Sequence, residues 1–300
     1  MKNIQLKIDP DFFKEEVRND YRISTEMKQI WAVELDLLKQ LDDFCQKHDL
    51  TYYLSGGSLL GAVRHKGYIP WDDDVDVMMY RKDFDKLCQL ADFQEPYFFQ
   101  TNETDPGSMR GHAQLRNSET TAILESERRY KYPFNQGIFI DIFPLDNVPD
   151  DLDERKEFVA KTKHLKYRAF QYYRYCLGKP NEKLSSLRKA VLYTHFFFLK
   201  LKYGKRNPYY EQFAREMVKY NGQKTKEVMM VTLSTDKCCW PREEIDEPMR
   251  VPFEMLNLPI SKDYDKLLTE QYGAWQVPVK ASTLHRGVFF DPDKSYREYL

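Results

Sequence analysis

The strongest constraint on the fold is the stretch from Tyr53 to Val77, in which a glycine-rich turn precedes a run of aspartates. The apolar run Tyr52–Leu54 predicts a short strand that ends before Gly56 and Gly57, where the backbone can turn tightly. The apolar residues after Ser58 predict a helical turn whose first amides have no partner within the helix. Such amides bind phosphate, so Gly57 and Ser58 are candidate phosphate-binding residues.

The aspartates of this stretch alternate with apolar residues. If Val75 and Val77 lie on a strand, Asp74 and Asp76 project from the same face, because side chains alternate with period two. Two adjacent carboxylates repel each other unless a cation lies between them. Hard oxygen ligands favour Mg²⁺ or Mn²⁺. The pattern therefore predicts a metal site at Asp74 and Asp76.

A third carboxylate follows in the segment GIFIDIFP, which begins at Gly137 and contains Asp141. An ionised aspartate among large apolar residues of a buried strand is costly unless a metal or a hydrogen-bond donor compensates for it. The alternative is an aspartate at the end of a strand that hydrogen-bonds to a loop. An amide cradle with a same-face aspartate pair and a third carboxylate on a neighbouring strand resembles the layout of the nucleotidyltransferase fold. Strands separated by helices and hairpins indicate an α+β class, with a mixed sheet flanked by helices.

Several longer motifs extend this resemblance along most of the chain. In order, they are Leu60–Arg64 with Ile69–Asp76, Leu115–Asn117 with Thr120, Gly137–Asp146, and a weaker closing segment over residues 264–278. They resemble the motifs of the LicD family, whose members transfer phosphocholine or related phosphoalcohols and which is similar to the fukutin-type transferases.

The resemblance implies a reaction. A phosphoalcohol moves from a CDP-activated donor to a sugar hydroxyl of a cell-surface glycan or teichoic acid precursor, and CMP leaves. Asp74 and Asp76 would hold Mg²⁺ (or Mn²⁺) against the donor phosphates, while Asp141 would hold a second metal ion or take the proton of the acceptor. Which alcohol is transferred, and to which sugar, stays open.

Other residues are candidates for substrate binding. Arg64, Lys66 and Arg116 would neutralise phosphate charge, although an arginine in such a place is commonly part of a surface ion pair. Trp71 would enclose a choline headgroup by cation–π contact, or it would simply pack. His285 would reach the acceptor or the nucleotide phosphate, or it would be structural.

Three rival functions share parts of this pattern. A glycosyltransferase also uses Asp-x-Asp but transfers the sugar, and a true nucleotidyltransferase releases pyrophosphate. A non-enzymatic calcium-binding loop would need glycine at its sixth and glutamate at its twelfth position, where Val77 and Asp83 stand. Product identity separates the two enzymes from a phosphoalcohol transferase.

Composition limits the class of protein. The 300 residues, 42% hydrophobic with 15% aromatic, are enough for a large core. A net charge of -1 excludes a globally basic nucleic-acid binder. Five cysteines without C-x-x-C spacing favour a reducing cytoplasm. The charged N-terminus has no signal-peptide core, and no run of 18 apolar residues occurs.

The chain divides into three predicted regions. Residues 1–150 form the catalytic core, residues 151–207 a basic aromatic helical insertion, and residues 208–300 a segment that completes the site. From 155 to 206 the chain has fifteen Lys or Arg against two Glu, interleaved with aromatics. This composition indicates a solvated basic face or a peripheral contact with the inner face of the cell membrane, whereas no nucleic-acid motif accompanies it.

Local patterns predict several elements. Ser24 is the expected N-cap of a long amphipathic helix that packs on the sheet. We expect an irregular lead-in over residues 1–22, a strand at Val228–Leu233 and a last helix at Tyr264–Tyr272. Gly178–Asn181 should divide the insertion into two helical pieces.

Overall fold

The computed structural model describes residues 4–177, 185–204, 206–233, 235, 238–245, 247–279 and 287–300. The helices are α1 (Thr25–His48), α2 (Gly56–His65), α3 (Arg81–Leu90), α4 (Glu125–Arg128), α5 (Leu152–Cys176), α6 (Ser186–Tyr203), α7 (Pro208–Met217) and α8 (Tyr264–Tyr272). The strands are β1 (Glu16–Arg18), β2 (Tyr21–Ile23), β3 (Tyr53–Leu54), β4 (Asp76–Tyr80), β5 (Tyr97–Gln100), β6 (Ala113–Asn117), β7 (Thr121–Leu124), β8 (Ile138–Asn147), β9 (Glu227–Met229), β10 (Cys239–Pro241), β11 (Pro248–Phe253), β12 (Leu256–Ser261) and β13 (Val288–Asp291).

Strand β8 is the centre of a seven-stranded mixed sheet. Its residues 138–142 pair antiparallel with β6, and its residues 141–145 pair parallel with β4 on the opposite edge. Strand β3 pairs with β4, β5 with β6, and β9 with the end of β8. The mixed sheet and its flanking helices confirm the predicted α+β class.

Helix α1 covers the sheet, as its amphipathic pattern predicts. The Ser24 hydroxyl accepts a hydrogen bond from the Met27 amide at 3.2 Å, which confirms the predicted N-cap. The helix ends at Asp49, which has a left-handed conformation. Its residues Trp31, Leu35 and Leu38 are completely buried. Burial of this apolar face is the main force that holds α1 on β6 and β8.

The helical insertion shares a core with the segment that follows it. Helices α5 and α7 pack together around a second hydrophobic cluster, formed by Val148, Phe158, Leu165, Phe213, Met217, Tyr220, Met229 and Val231. The boundary after residue 207 stays a prediction, and the predicted divider Gly178–Asn181 lies outside the described residues. Within the described ranges, no helix has the length and apolar character needed to cross a membrane.

Two local expectations are wrong. Residues 16–23 form the hairpin β1–β2 instead of an irregular lead-in. The strand expected at Val228–Leu233 is only Glu227–Met229, and a 3-10 turn follows. The prolines at 248, 252 and 259 lie in the hairpin β11–β12, because a two-stranded sheet has edges at which proline costs no ladder hydrogen bond. The last predicted helix, Tyr264–Tyr272, is confirmed as α8.

Candidate active site

The glycine-rich turn of the sequence forms the N-terminus of α2. The helix begins at Gly56 instead of near Leu59, so Gly57 and Ser58 lie in its first turn. Gly56 has φ +54°, a left-handed conformation that favours glycine. The Ser55 side chain makes no capping hydrogen bond, and the first amides of a helix have no partner within it. The helix therefore presents these amides, and its positive dipole end, in front of β4.

Ser58 joins the start of α2 to the start of β4. Its buried hydroxyl accepts a hydrogen bond from the Asp76 amide at 2.9 Å. The Ser55 amide in turn donates to the Asp76 carbonyl at 3.0 Å. Ser58 thus positions Asp76, and a contact of Ser58 with phosphate stays a prediction.

Burial alternates along residues 74–77, but the strand expected to carry both aspartates contains only Asp76. Val75 and Val77 are 1% and 0% exposed, whereas Asp74 and Asp76 are half-buried. Strand β4 begins only at Asp76, so Asp74 lies in the preceding loop. The Trp31 indole of α1 donates to the carbonyl of this loop's Asp72 at 3.0 Å. A buried core residue thereby fixes the path of the loop.

Asp141 lies beside Asp76. The two are register partners in the parallel pair β4–β8, so their side chains project from the same face of the sheet. The Asp141 amide donates to the Val75 carbonyl at 2.9 Å. The sequence predicts these carboxylates on neighbouring strands, and the pairing of β4 with β8 makes them neighbours.

The carboxylates form a cluster that fits a hard cation. Oxygen atoms of Asp72, Asp73 and Asp74 lie within 4.8 Å of one another. Burial raises the pKa of Asp76 well above its ordinary value, and Asp74 and Asp141 raise it further by repulsion. Such crowding of carboxylates is relieved by a divalent ion, and oxygen-rich donors suit Mg²⁺ or Mn²⁺. Asp72 and Asp73 are therefore candidate ligands beside the predicted Asp74, whereas among the described residues Asp76 and Asp141 do not belong to this group of three.

Two residues that sequence reasoning missed hold Asp141. The Gln114 amide donates to its Oδ1 at 2.6 Å, and His112 Nε2 lies 3.1 Å from the same oxygen. Burial acts to raise the pKa of Asp141, but His112 and Arg110 outweigh it and hold the pKa below its ordinary value. A low pKa makes Asp141 a weaker proton acceptor, which favours a role as a ligand. His112 and Gln114 alternate with Arg116 along the sequence. This spacing indicates that the three side chains project from the same face of a strand.

A buried glutamate under the cluster was also missed. Glu34 of α1 is 1% exposed. Burial raises its pKa well above the ordinary value, and Asp74 contributes further by repulsion. Glu34 lies at helical spacing from Ile30, Leu37 and Leu41, on the apolar stripe of α1. The sequence pattern therefore already places a carboxylate at a core position.

Two basic side chains interact electrostatically with Asp141. The Lys166 ammonium of α5 donates to the Thr232 carbonyl at 2.8 Å. Burial, followed by repulsion from Arg110, lowers the pKa of Lys166 to about 8. Arg110 Nε is buried without a hydrogen-bond partner among the described residues. The insertion therefore brings positive charge near Asp141, which no local sequence pattern indicated.

Arg116 lies in the interior among hydrogen-bond acceptors. Its side chain is 1% exposed, and its guanidinium donates to the Gln100 side chain, to the Gly137 carbonyl and to the Gln114 side chain at 2.6, 2.6 and 2.5 Å. Burial lowers its pKa to about 9. Arg116 therefore supports Gln114, which donates to Asp141, and a contact of Arg116 with phosphate stays a prediction.

The other candidate binding residues lie around α2. Arg64 donates to the Trp275 carbonyl at 2.8 Å, and Lys66 is exposed at the C-terminal end of the helix, away from the glycines. Trp71 is half-buried and packs edge-to-face on Tyr21 at 5.9 Å, the contact expected of a packing residue. His285 lies outside the described residues.

The C-terminal segment lies against the same site. A Cβ atom built on Gly56 would be 3.8 Å from the Tyr272 hydroxyl of α8 and 3.6 Å from Asp76 Oδ2. Burial, followed by repulsion from Asp72 and Asp76, raises the pKa of Tyr272. These proximities support the predicted role of the C-terminal segment in completing the site.

Substitution of Gly57 tests how closely α2 approaches the loop that contains Asp72. A Cβ atom at Gly57 would lie 2.6 Å from Asp72 Oδ2, so Gly57→Ala must displace that carboxylate. We expect activity to fall by about tenfold or more, because such misplacement perturbs a metal site. Gly222→Ala is the matched control, since no atom lies within 4 Å of its Cβ position. Steady-state kinetics of both variants checks this, and equal activities would contradict the proposed geometry.

Nearly half of the chain is similar to a known protein family. Residues 49–191 match a family model described as LicD/FKTN/FKRP, nucleotidyltransferase domain. This range contains the start of α2, the aspartate loop and Asp141.

The chain is also similar to individual proteins of several organisms. The chain is 27% identical over 254 residues to the lipopolysaccharide cholinephosphotransferase LicD of Haemophilus influenzae, covering 82% of this chain and 90% of that protein. It is 39% identical over 131 residues to an uncharacterized protein of Rickettsia prowazekii, covering 43% of this chain and 44% of the relative. A stretch of 41 residues, 14% of this chain and 8% of the relative, is 56% identical to the human ribitol 5-phosphate transferase FKRP.

Proposed function

We propose a reaction on the premise that residues 49–191 of this chain form a LicD-family nucleotidyltransferase domain. The protein transfers phosphocholine or a related phosphoalcohol from a CDP-activated donor to a sugar hydroxyl of a cell-surface glycan or teichoic acid precursor. The acceptor oxygen forms a bond to the phosphorus of the phosphoalcohol, the diphosphate bridge breaks, and CMP leaves with the electron pair. The hydroxyl proton passes to a base.

One observation carries the proposal: the N-terminus of a helix meets a cluster of carboxylates. Gly57 lies against Asp72, and Asp76 lies beside Asp141 across β4 and β8. Amides attract phosphate oxygens and carboxylates attract cations, so their combination suits a metal-bound diphosphate. Neither feature alone would favour a nucleotide diphosphate.

The chain's own residues supply positioning and charge. The amides of Gly57 and Ser58 donate to a phosphate oxygen, while Arg110 and Lys166 add positive charge on the side of Asp141. Asp74, Asp76 and Asp141, together with Asp72 and Asp73, would hold Mg²⁺ or Mn²⁺, which neutralises phosphate charge. Phosphoryl transfer depends mainly on such positioning and neutralisation.

The test is ³¹P NMR on the purified protein with Mg²⁺, a panel of CDP-alcohols, and free or lipid-linked glycan acceptors. We expect one donor to be consumed with release of CMP, and omission of Mg²⁺ to stop its consumption. Consumption of nucleotide sugars or nucleoside triphosphates, with every CDP-alcohol intact, would instead support a glycosyltransferase or a true nucleotidyltransferase.

A further inference from the structure

Helix α6 carries an apolar stripe on its outward face. The side chains of Leu187, Val191, Phe198 and Leu201 are 77%, 63%, 63% and 68% exposed. Their spacing of four, seven and three residues places them on one side of the helix. A surface helix of a globular domain normally buries such a stripe, whereas no part of the chain that the structure describes covers this face.

The opposite face of α6 holds the helix on the protein. Phe196 is 3% exposed and packs on Tyr172 and Tyr175, with ring centroids 5.5 Å apart in each case. The Arg168 guanidinium lies 5.1 Å from the centroid of the Phe196 ring. His195 and the Tyr209 hydroxyl are hydrogen-bonded at 2.6 Å. Because α6 is attached through these contacts, its apolar stripe is directed away from the core.

Charge on α6 indicates what covers the stripe. Its basic residues lie near the two ends, at Arg188, Lys189, Lys200 and Lys202, and the helix contains no Asp or Glu. A second copy of this helix would bring like charges together, whereas helices that pair carry complementary charges beside the apolar seam. An anionic lipid surface complements both features, because headgroups attract the cations and the apolar side chains enter the interface.

We propose that α6 docks the protein on an anionic membrane surface, with the helix axis in the plane of the interface. The helix is 18 residues long, or about 27 Å. It would therefore place both basic ends at headgroup level while the stripe enters the acyl boundary. This inference rests on the surface of α6 and stands independently of the proposed reaction.

Liposome sedimentation tests this proposal. The full chain is sedimented with vesicles of phosphatidylcholine alone and of phosphatidylcholine mixed with an equal amount of phosphatidylglycerol. We expect binding to the anionic vesicles only, weakened by salt. Val191→Ser combined with Leu201→Ser should reduce this binding by about tenfold or more, as should Lys200→Glu combined with Lys202→Glu. The matched control is Val17→Ser with Val277→Ser, at positions 68% and 63% exposed elsewhere, and should bind normally.

Three outcomes would overturn it. Binding to neither kind of vesicle would show that a membrane is not the partner of α6. Unchanged binding of the stripe variant, Val191→Ser with Leu201→Ser, would show that the apolar stripe does not contact the membrane. A dimer in light scattering that the stripe variant abolishes, without lipid binding, would show that a second copy covers α6. Circular dichroism and melting temperatures of all variants should match those of the unmodified chain, because the altered side chains are exposed.

Discussion

Asp76→Asn is expected to lower transfer activity by about a hundredfold or more while leaving the metal-free protein at least as stable as the unmodified one. The loss of activity follows from removing a carboxylate that interacts with both Asp74 and Asp141 in the proposed metal site. The effect on stability follows from electrostatics. Burial and the neighbouring Asp74 and Asp141 raise the pKa of Asp76, so its charge destabilises the folded protein when no cation is bound.

The pH dependence of stability gives a second readout. A carboxyl group whose pKa is raised in the folded state reduces stability as the pH rises from its unfolded pKa of about 4 toward the raised value. In EDTA, Asp76→Asn should therefore melt higher than the unmodified protein at neutral pH, and the difference should disappear in acid. Mg²⁺ should raise the melting temperature of the unmodified protein and have a smaller effect on the variant.

Scanning fluorimetry with EDTA or Mg²⁺, together with ³¹P NMR assays, measures both effects. Asp92→Asn is the matched control, because Asp92 is exposed on the loop after α3 and should change neither quantity. If Asp76→Asn retained full activity, or lost stability in EDTA at neutral pH, the proposed role of Asp76 would be wrong.

Arg116→Met is expected to destabilise the protein by about 3–5 kcal/mol, the usual cost of removing one partner from a buried charged network. The substitution leaves the Gln100 and Gln114 side chains and the Gly137 carbonyl without the donor that they have now. It also frees Gln114, which donates to Asp141 at 2.6 Å. We therefore expect a large shift of the urea unfolding midpoint, and reduced activity in the protein that remains folded.

Arg22→Met is the matched control, since the Arg22 side chain is 73% exposed in its ion pair with Glu15. Its removal should leave the urea unfolding midpoint almost unchanged, because exposed ion pairs contribute little to stability. A phosphate-binding Arg116 would behave differently, because its loss would raise the KM for the donor and leave the unfolding midpoint unchanged. That result would contradict the supporting role that the structure gives Arg116.

The local pattern of the chain determined the α+β class, the long helix α1 with its Ser24 cap, and the chemistry of the loop from Gly56 to Asp76. These features depend on residues close in sequence: a cap precedes its helix, and carboxylates alternate with valines on a strand. The carboxylate at 141 was also recognisable, because an aspartate in an apolar strand needs compensation.

Only the tertiary structure decided which of these groups meet. Asp76 and Asp141 become neighbours because β4 and β8 pair in parallel with these residues in register. His112 reaches Asp141 from the adjoining strand edge, and Lys166 reaches the same region from a helix of the insertion. The sequence predicts Arg116 as a phosphate contact, with a surface ion pair as the alternative. The side chain lies in the interior, because the sheet brings three acceptors to its guanidinium.

The same distinction applies to α6. Its sequence establishes that the helix is basic and rich in apolar residues, but composition alone does not show which face is buried. The packing of Phe196 on α5 fixes the rotation of the helix, and that rotation directs the stripe from Leu187 to Leu201 toward solvent. The sequence of residues along the chain determines which functional side chains are present. Packing between distant segments determines which of those side chains are exposed, because burial depends on contacts that local sequence does not encode.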